Sequence, residues 1–168
     1  ETGDYISAMR KDERFADMEF KIDEVSTHVF KRLSVKARKE IVTLGLDGID
    51  PSTVTGRYLE PAEFYTALQE KDAILLDVRN DYEYAMGHFR GAVRPPVRTF
   101  KEFPKWIRDN LSGKKNQKIL TYCTGGIRCE KFTSYLLSEG FDAVYQLHGG
   151  IINYSKNPDV RGRLFDGK

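Results

Sequence analysis

Cysteine is nearly absent from this chain. With Cys123 and Cys129 alone, a disulfide-built scaffold is excluded, and no C-x-x-C pair is present to supply a structural zinc site. Long apolar runs are missing too: nothing approaches the roughly 20 residues that span a bilayer, and the opening ETGDYISAMRKDE lacks the basic-then-apolar form of a signal peptide. Together these predict a soluble, cytoplasmic chain with no membrane partner. Neither sign of charge dominates, because 27 Lys and Arg oppose 25 Asp and Glu for a formal +2, so any polyanion has to be held by local patches. There is no internal repeat and no low-complexity tract. An initiator methionine is also lacking, since the chain opens on Glu1 and closes on FDGK, which predicts a fragment of something longer.

What is present suffices for one packed core of about 100–150 residues plus a smaller piece. Residues 4–14 read as helical, ADMEFKID (16–23) has strand character, and 28–45 alternates with interruptions by basic residues. The stretch GLDGIDPSTVTG (45–56) collects Gly, Asp, Pro and Ser/Thr, which is linker chemistry. Beyond it, AILLD (73–77), KILTY (118–122) and AVYQL (143–147) are short apolar runs of the kind buried on both faces of a parallel sheet. Helices are predicted from Pro61 to about Gln69 with Phe64, Tyr65 and Leu68 inward, near Asp81–Met86, from about Pro104, and from about Arg128 to Ser138. This is a three-layer α/β pattern with a mainly parallel sheet.

In such sheets ligands gather at the carboxyl ends of the strands, and Cys123 is the first residue past KILTY. Thr124, Gly125, Gly126, Ile127 and Arg128 follow, five backbone N–H groups on a loop that two glycines allow to curl, ahead of a helix N-terminus. These donors and the Arg128 charge favour a thiolate, so Cys123 is expected to be an accessible nucleophile of lowered pKa. Cys129, in the first helical turn, reads as a packing residue whose distance also allows a second, resolving thiol. In LLDVRNDYEYAMGHFRGAV (75–93), Asp77, Arg79 and Glu83 are expected to satisfy one another beside the sheet end, with His88 in the same supporting stretch. Neither His88 nor His148 has a second ligand at a recognised spacing, so no metal site is predicted.

The stretch 75–93 followed by a strand and CTGGIR resembles the rhodanese-like domain, with the four-residue gap between Cys123 and Arg128 of sulfurtransferase members rather than the five of related phosphatases. The extended CTGGIRCEK, with QLHGGI after it and FADMEFK and SVKARKEIV before the domain, is similar to the bacterial tRNA uridine 5-hydroxylase family. That resemblance implies a rhodanese-like catalytic domain at 58–160 after a linker at 46–57. It also implies the C-terminal part of a truncated ferredoxin-like α+β domain at 1–45 and the start of a missing C-terminal region at 161–168. It further implies oxygen-dependent hydroxylation of C5 of the wobble uridine, Cys123 as the catalytic residue, tRNA as partner and molecular oxygen as co-substrate. No cofactor and no protein partner is evident in the residues themselves.

A thiolate can add to C6 of uracil and enrich C5 in electrons, and the open Gly-Gly loop with one cation suits a flat base better than a small dianion. Sulfur transfer from thiosulfate or a persulfide by the same cysteine, or a non-catalytic rhodanese module that binds protein or RNA, are the rival readings. RNA contacts are expected from Lys31, Arg32, Lys36, Arg38 and Lys39, and from Arg94, Arg98, Lys101, Lys105 and Arg108 around the helix starting near Pro104, whose inner face takes Phe103, Ile107 and Leu111.

Overall fold

The computed structural model describes residues 2–27, 31–32 and 36–167. It divides into two compact units, Glu1–Ala37 and Arg38–Lys168.

In the first unit, helix α1 (Thr2–Arg10) places Asp4 in its first turn and Arg10 in its last, matching the helix dipole, and buries none of its residues. A 3₁₀ turn, Glu13–Phe15, follows, capped by Asp12, whose Oδ1 accepts the Arg14 N–H at 3.1 Å. Tyr5 meets Phe20 edge-on with centroids 6.3 Å apart. The strand expected at 16–23 is not formed: no strand pairs with that stretch among the described residues, and extended backbone without a ladder partner has nothing to hold it. Of the alternating stretch 28–45, residues 28–30 and 33–35 lie outside the described residues, and the remainder forms no strand.

The second unit is built on a parallel sheet of β1 (Arg57–Leu59), β2 (Ile74–Asp77), β4 (Ile119–Tyr122) and β5 (Val144–Leu147), in the order β1-β5-β4-β2. Leu76, Ile119 and Val144 face α4 (Phe103–Leu111) and α5 (Ile127–Ser138), joining Phe103, Ile107, Leu111, Phe132 and Leu136. Leu75, Leu120, Tyr122 and Leu147 face the other way, against Phe64 and Ala67 of α2 (Pro61–Ala67) and Tyr154 of α6 (Gly150–Lys156). Burial on both faces explains why these strands read as unbroken apolar runs.

Three stretches hold more structure than the sequence suggested. The stretch 46–57 is not a free linker: Leu44 is 1% exposed in the core, and Leu46 and Ile49 pack against it. Asp47, Asp50, Ser52 and Thr53 are exposed, but at its end the stretch bonds inward, Gly56 N–H to Thr133 Oγ1 at 2.9 Å and Thr55 Oγ1 to the Glu130 carbonyl at 3.0 Å, and Arg57 already opens β1. The region 161–168 contains β6 (Phe165–Gly167), antiparallel to β3 (Gly87–Phe89), which follows α3 (Asp81–Met86). The helix α6, after the HGG turn, was not read from sequence because adjacent glycines read as a turn more readily than as a helix start.

Candidate active site

Cys123 stands immediately past β4, as the strand-end rule predicts, but the residue is only 1% exposed rather than accessible. Gly126, at φ +97°, turns the loop so that its N–H donates to Cys123 Sγ at 3.1 Å. The thiol is drawn down to about 6, first by a hydrogen bond from the Cys129 side chain, against burial, and then by the Cys129 N–H, the Arg128 charge and the Gly126 N–H. Of the amides from Thr124 to Arg128, that of Gly126 is placed on the sulfur, and Cys129, beyond that run, adds to the same effect. Cys129 is fully buried, and burial together with the neighbouring Cys123 pushes its thiol well up. The charged form is thus favoured at Cys123 and disfavoured at Cys129.

Arg128 faces a carboxylate. Its Nη1 donates to Glu83 Oε2 at 2.7 Å, and its Nη2 to Glu83 Oε1 at 2.6 Å and to Thr124 Oγ1 at 3.0 Å; Thr124 Oγ1 donates in turn to Glu83 Oε1 at 2.9 Å. Burial would raise Glu83, but the bonds from Arg128, the Asn80 N–H and Thr124 bring it down to about 2. Glu83 therefore clamps the cysteine loop to α3 instead of pairing with Asp77 and Arg79 as expected. Those two form a separate buried pair, with Arg79 Nη2 2.6 Å from Asp77 Oδ2 and side chains 7% and 1% exposed. Tyr122 Oη donates to the same Asp77 oxygen at 2.7 Å, and Arg79 Nη2 also reaches the Gly87 carbonyl at 2.6 Å. Tyr122 was missed; the signal was a tyrosine inside a buried strand, whose hydroxyl must find a partner.

Behind the loop, the first amides of α6 hold its carbonyls: Ile151 N–H to Cys123 O at 3.0 Å and Ile152 N–H to Thr124 O at 3.1 Å. A Cβ on Gly150 would lie 2.5 Å from the Thr124 carbonyl oxygen, so only glycine permits this approach. On the other side Gly125 has open space, with nothing within 4 Å of an added Cβ. Beside Thr124 lies a cleft of about 250 Å³ lined by Arg79, Glu83, Met86, Gly87, Thr124, Ile151 and Phe165.

His88 stacks on Tyr84 at 3.8 Å and shares a 3.0 Å hydrogen bond with its carbonyl, while His148 Nδ1 lies 2.6 Å from Glu60 Oε1. Among the described residues no group of His, Cys, Asp and Glu is placed to hold a metal ion. The basic residues named above are all exposed. Several have carboxylate partners: Lys39 with Asp47, Arg94 with Asp81, Lys105 with Asp109 and Arg108 with Glu139. Lys31, Arg32 and Lys36 belong to the first unit, and Arg38 and Lys39 to the second.

Over its full length the chain is 59% identical to a tRNA uridine(34) hydroxylase of Bacillus licheniformis, covering 52% of that protein, and 57% identical to one of Enterococcus faecalis, covering 54% of it. It thus spans about half the length of the curated relatives it matches. A crystal structure of a rhodanese-like domain protein from Staphylococcus aureus superposes with a TM-score of 0.50 at 25% identity, over 67% of this chain and 98% of that one. Residues 1–41 match the UPF0176 acylphosphatase-like domain. With a parallel sheet, a cysteine loop at its carboxyl edge and a match to the rhodanese-like domain over residues 60–157, the chain belongs to the rhodanese-like domain family.

Proposed function

We propose that this chain carries the catalytic cysteine of a tRNA uridine(34) hydroxylase, with Cys123 as nucleophile toward C6 of the wobble uridine and molecular oxygen as co-substrate. The observation that carries this reading is a cysteine at the carboxyl end of β4, its sulfur met by the Gly126 N–H at 3.1 Å and its thiol drawn down to about 6, in a chain 59% identical over its full length to a tRNA uridine(34) hydroxylase. Addition of the thiolate to C6 moves electron density to C5, which attacks an electrophilic oxygen; loss of the C5 proton and departure of Cys123 restore the ring. One atom of O₂ enters at C5 and the other leaves as water, with two electrons and two protons from an external donor.

Because Cys123 is buried, reaction with a base requires the loop to yield, and the space beside Gly125 is where it has room. A wobble base is in a single-stranded loop, so turning it out is inexpensive. The rival chemistry, sulfur transfer from thiosulfate, needs cations for a dianion, yet the loop's one cation is clamped by Glu83. The test replaces Cys123 by Ser in the full-length protein, the hydroxyl being nearly isosteric but protonated at neutral pH. C5-oxygenated uridine disappears from tRNA nucleosides while the melting temperature is kept, and the wild type forms no thiocyanate from thiosulfate and cyanide. Wild-type nucleoside levels in the variant would remove Cys123 from the mechanism; thiocyanate formation with unchanged tRNA would favour the sulfurtransferase.

A further inference from the structure

We infer that the cleft beside Thr124 is the receptacle for the target pyrimidine base, with Met86 and Phe165 as its apolar walls and Arg79 as the donor that recognises a ring carbonyl. This rests on the hydroxylase reading and names where its substrate sits.

At about 250 Å³ the cleft lies just under the roughly 300–1,000 Å³ of sites for drug-sized ligands, which suits one flat base rather than a stacked pair. It adjoins the cysteine loop, since Thr124, the residue after the nucleophile, is part of its wall, as is Glu83, which clamps that loop. Its walls are apolar where a base would stack: Met86 is a large hydrophobic side chain left 69% exposed, and Phe165 stands edge-on to Phe89 with centroids 5.2 Å apart. Enzymes acting on a base commonly take it from its stack into such a pocket, between aromatic or apolar side chains.

The polar groups of the cleft are mostly committed. Both Glu83 oxygens and Thr124 Oγ1 are used in the clamp on Arg128. Arg79 places Nε on Asp77 and Nη2 on Asp77 and the Gly87 carbonyl, which leaves Nη1 with no hydrogen bond among the described residues. A guanidinium N–H in a fixed orientation suits a carbonyl acceptor, and uracil presents two of them. The orienting pair Asp77 and Tyr122 thus serves the site indirectly by fixing Arg79. β6 acquires a role as well, because it brings Phe165 to the cleft by pairing with β3.

The experiment uses full-length protein with Met86→Trp, which fills the cleft from an exposed position and so spares the fold, and Met86→Leu, which keeps its size. Binding is measured with an anticodon stem-loop carrying uridine at position 34 and with the same RNA made abasic there, and turnover is followed by formation of C5-oxygenated uridine. In the wild type and Met86→Leu the uridine RNA binds more tightly than the abasic one. Met86→Trp removes that preference and lowers kcat/KM about tenfold or more, while the pH midpoint for alkylation of Cys123 stays at the wild-type value. Unchanged turnover in Met86→Trp, or an intact preference for uridine, would overturn the cleft assignment while leaving the hydroxylase reading standing. Absence of any modification by the wild type would overturn that reading instead.

Discussion

Cys123 and Cys129 share a single negative charge between two buried sulfurs, and the order of its causes predicts how it responds to mutation. The Cys129 side chain is the largest influence lowering Cys123 from its ordinary 9.0 to about 6. Alkylation of Cys123 by iodoacetamide, slow for so buried a sulfur, should rise from acid pH with a midpoint near 6 and level off above it. Cys129→Ala should move the midpoint upward, and Cys129→Ser, which keeps a donor, should move it less; an unmoved midpoint in the Ala variant would show that the second thiol only packs. Glu83 makes a second titration visible. Its carboxylate is lowered from 4.5 to about 2, so the stability it lends through Arg128 is fully present above pH 4.5 and is lost as pH falls toward 2. Glu83→Gln should therefore cost about 1–2 kcal/mol near neutral pH, allowing for solvent screening, with the difference from wild type closing below pH 4.5. Denaturant titrations at several pH values check this, and a gap that did not narrow in acid would mean that the loss is one of packing.

At the scale of elements, the cysteine loop is held between the N-terminus of α5 in front and that of α6 behind. Gly150, at φ +67°, is where the rear contact is closest, because an added Cβ would meet the Thr124 and Cys123 carbonyl oxygens at 2.5 and 2.6 Å. Both the left-handed backbone and the collision with main-chain atoms oppose a side chain there. Gly150→Ala should destabilise the unit by more than about 2 kcal/mol and displace the Cys123 midpoint, whereas Gly125→Ala, with open space, should stay within about 0.5 kcal/mol of wild type. Thermal melts of the two variants, compared side by side, decide the point; equal melting temperatures would mean that α6 does not support the loop.

For the molecule as a whole, the near balance of charge means that any RNA must be held by local surfaces, and several cations on the expected patches already have carboxylate neighbours. Lys105 and Arg108, on the exposed side of α4, must leave Asp109 and Glu139 to meet phosphates. If they do so, reversing both to Glu in the full-length protein weakens tRNA binding and flattens its salt dependence by about one unit of slope per lost contact, with Cys123 alkylation unaltered. Unchanged affinity at low salt would exclude this face. The limits of sequence reading follow the same division between local and distant. The buried strands, the helices between them and the place of Cys123 at the end of β4 were legible because each depends on the pattern of neighbouring residues and on the strand-end rule. Which groups meet across the chain was not: Glu83 with Arg128, Tyr122 with Asp77, Gly150 with Thr124, and Phe165–Gly167 with Gly87–Phe89 join residues far apart in sequence. The inward bonds at the end of the 46–57 stretch were not legible for the same reason, since Thr55 and Gly56 find their partners on α5. Periodicity and spacing determined the parallel sheet and the place of a cysteine loop at its carboxyl edge; only the packed structure decided that Arg128 is clamped by Glu83 and that the sulfur is covered, because each depends on distances that arise when the layers close.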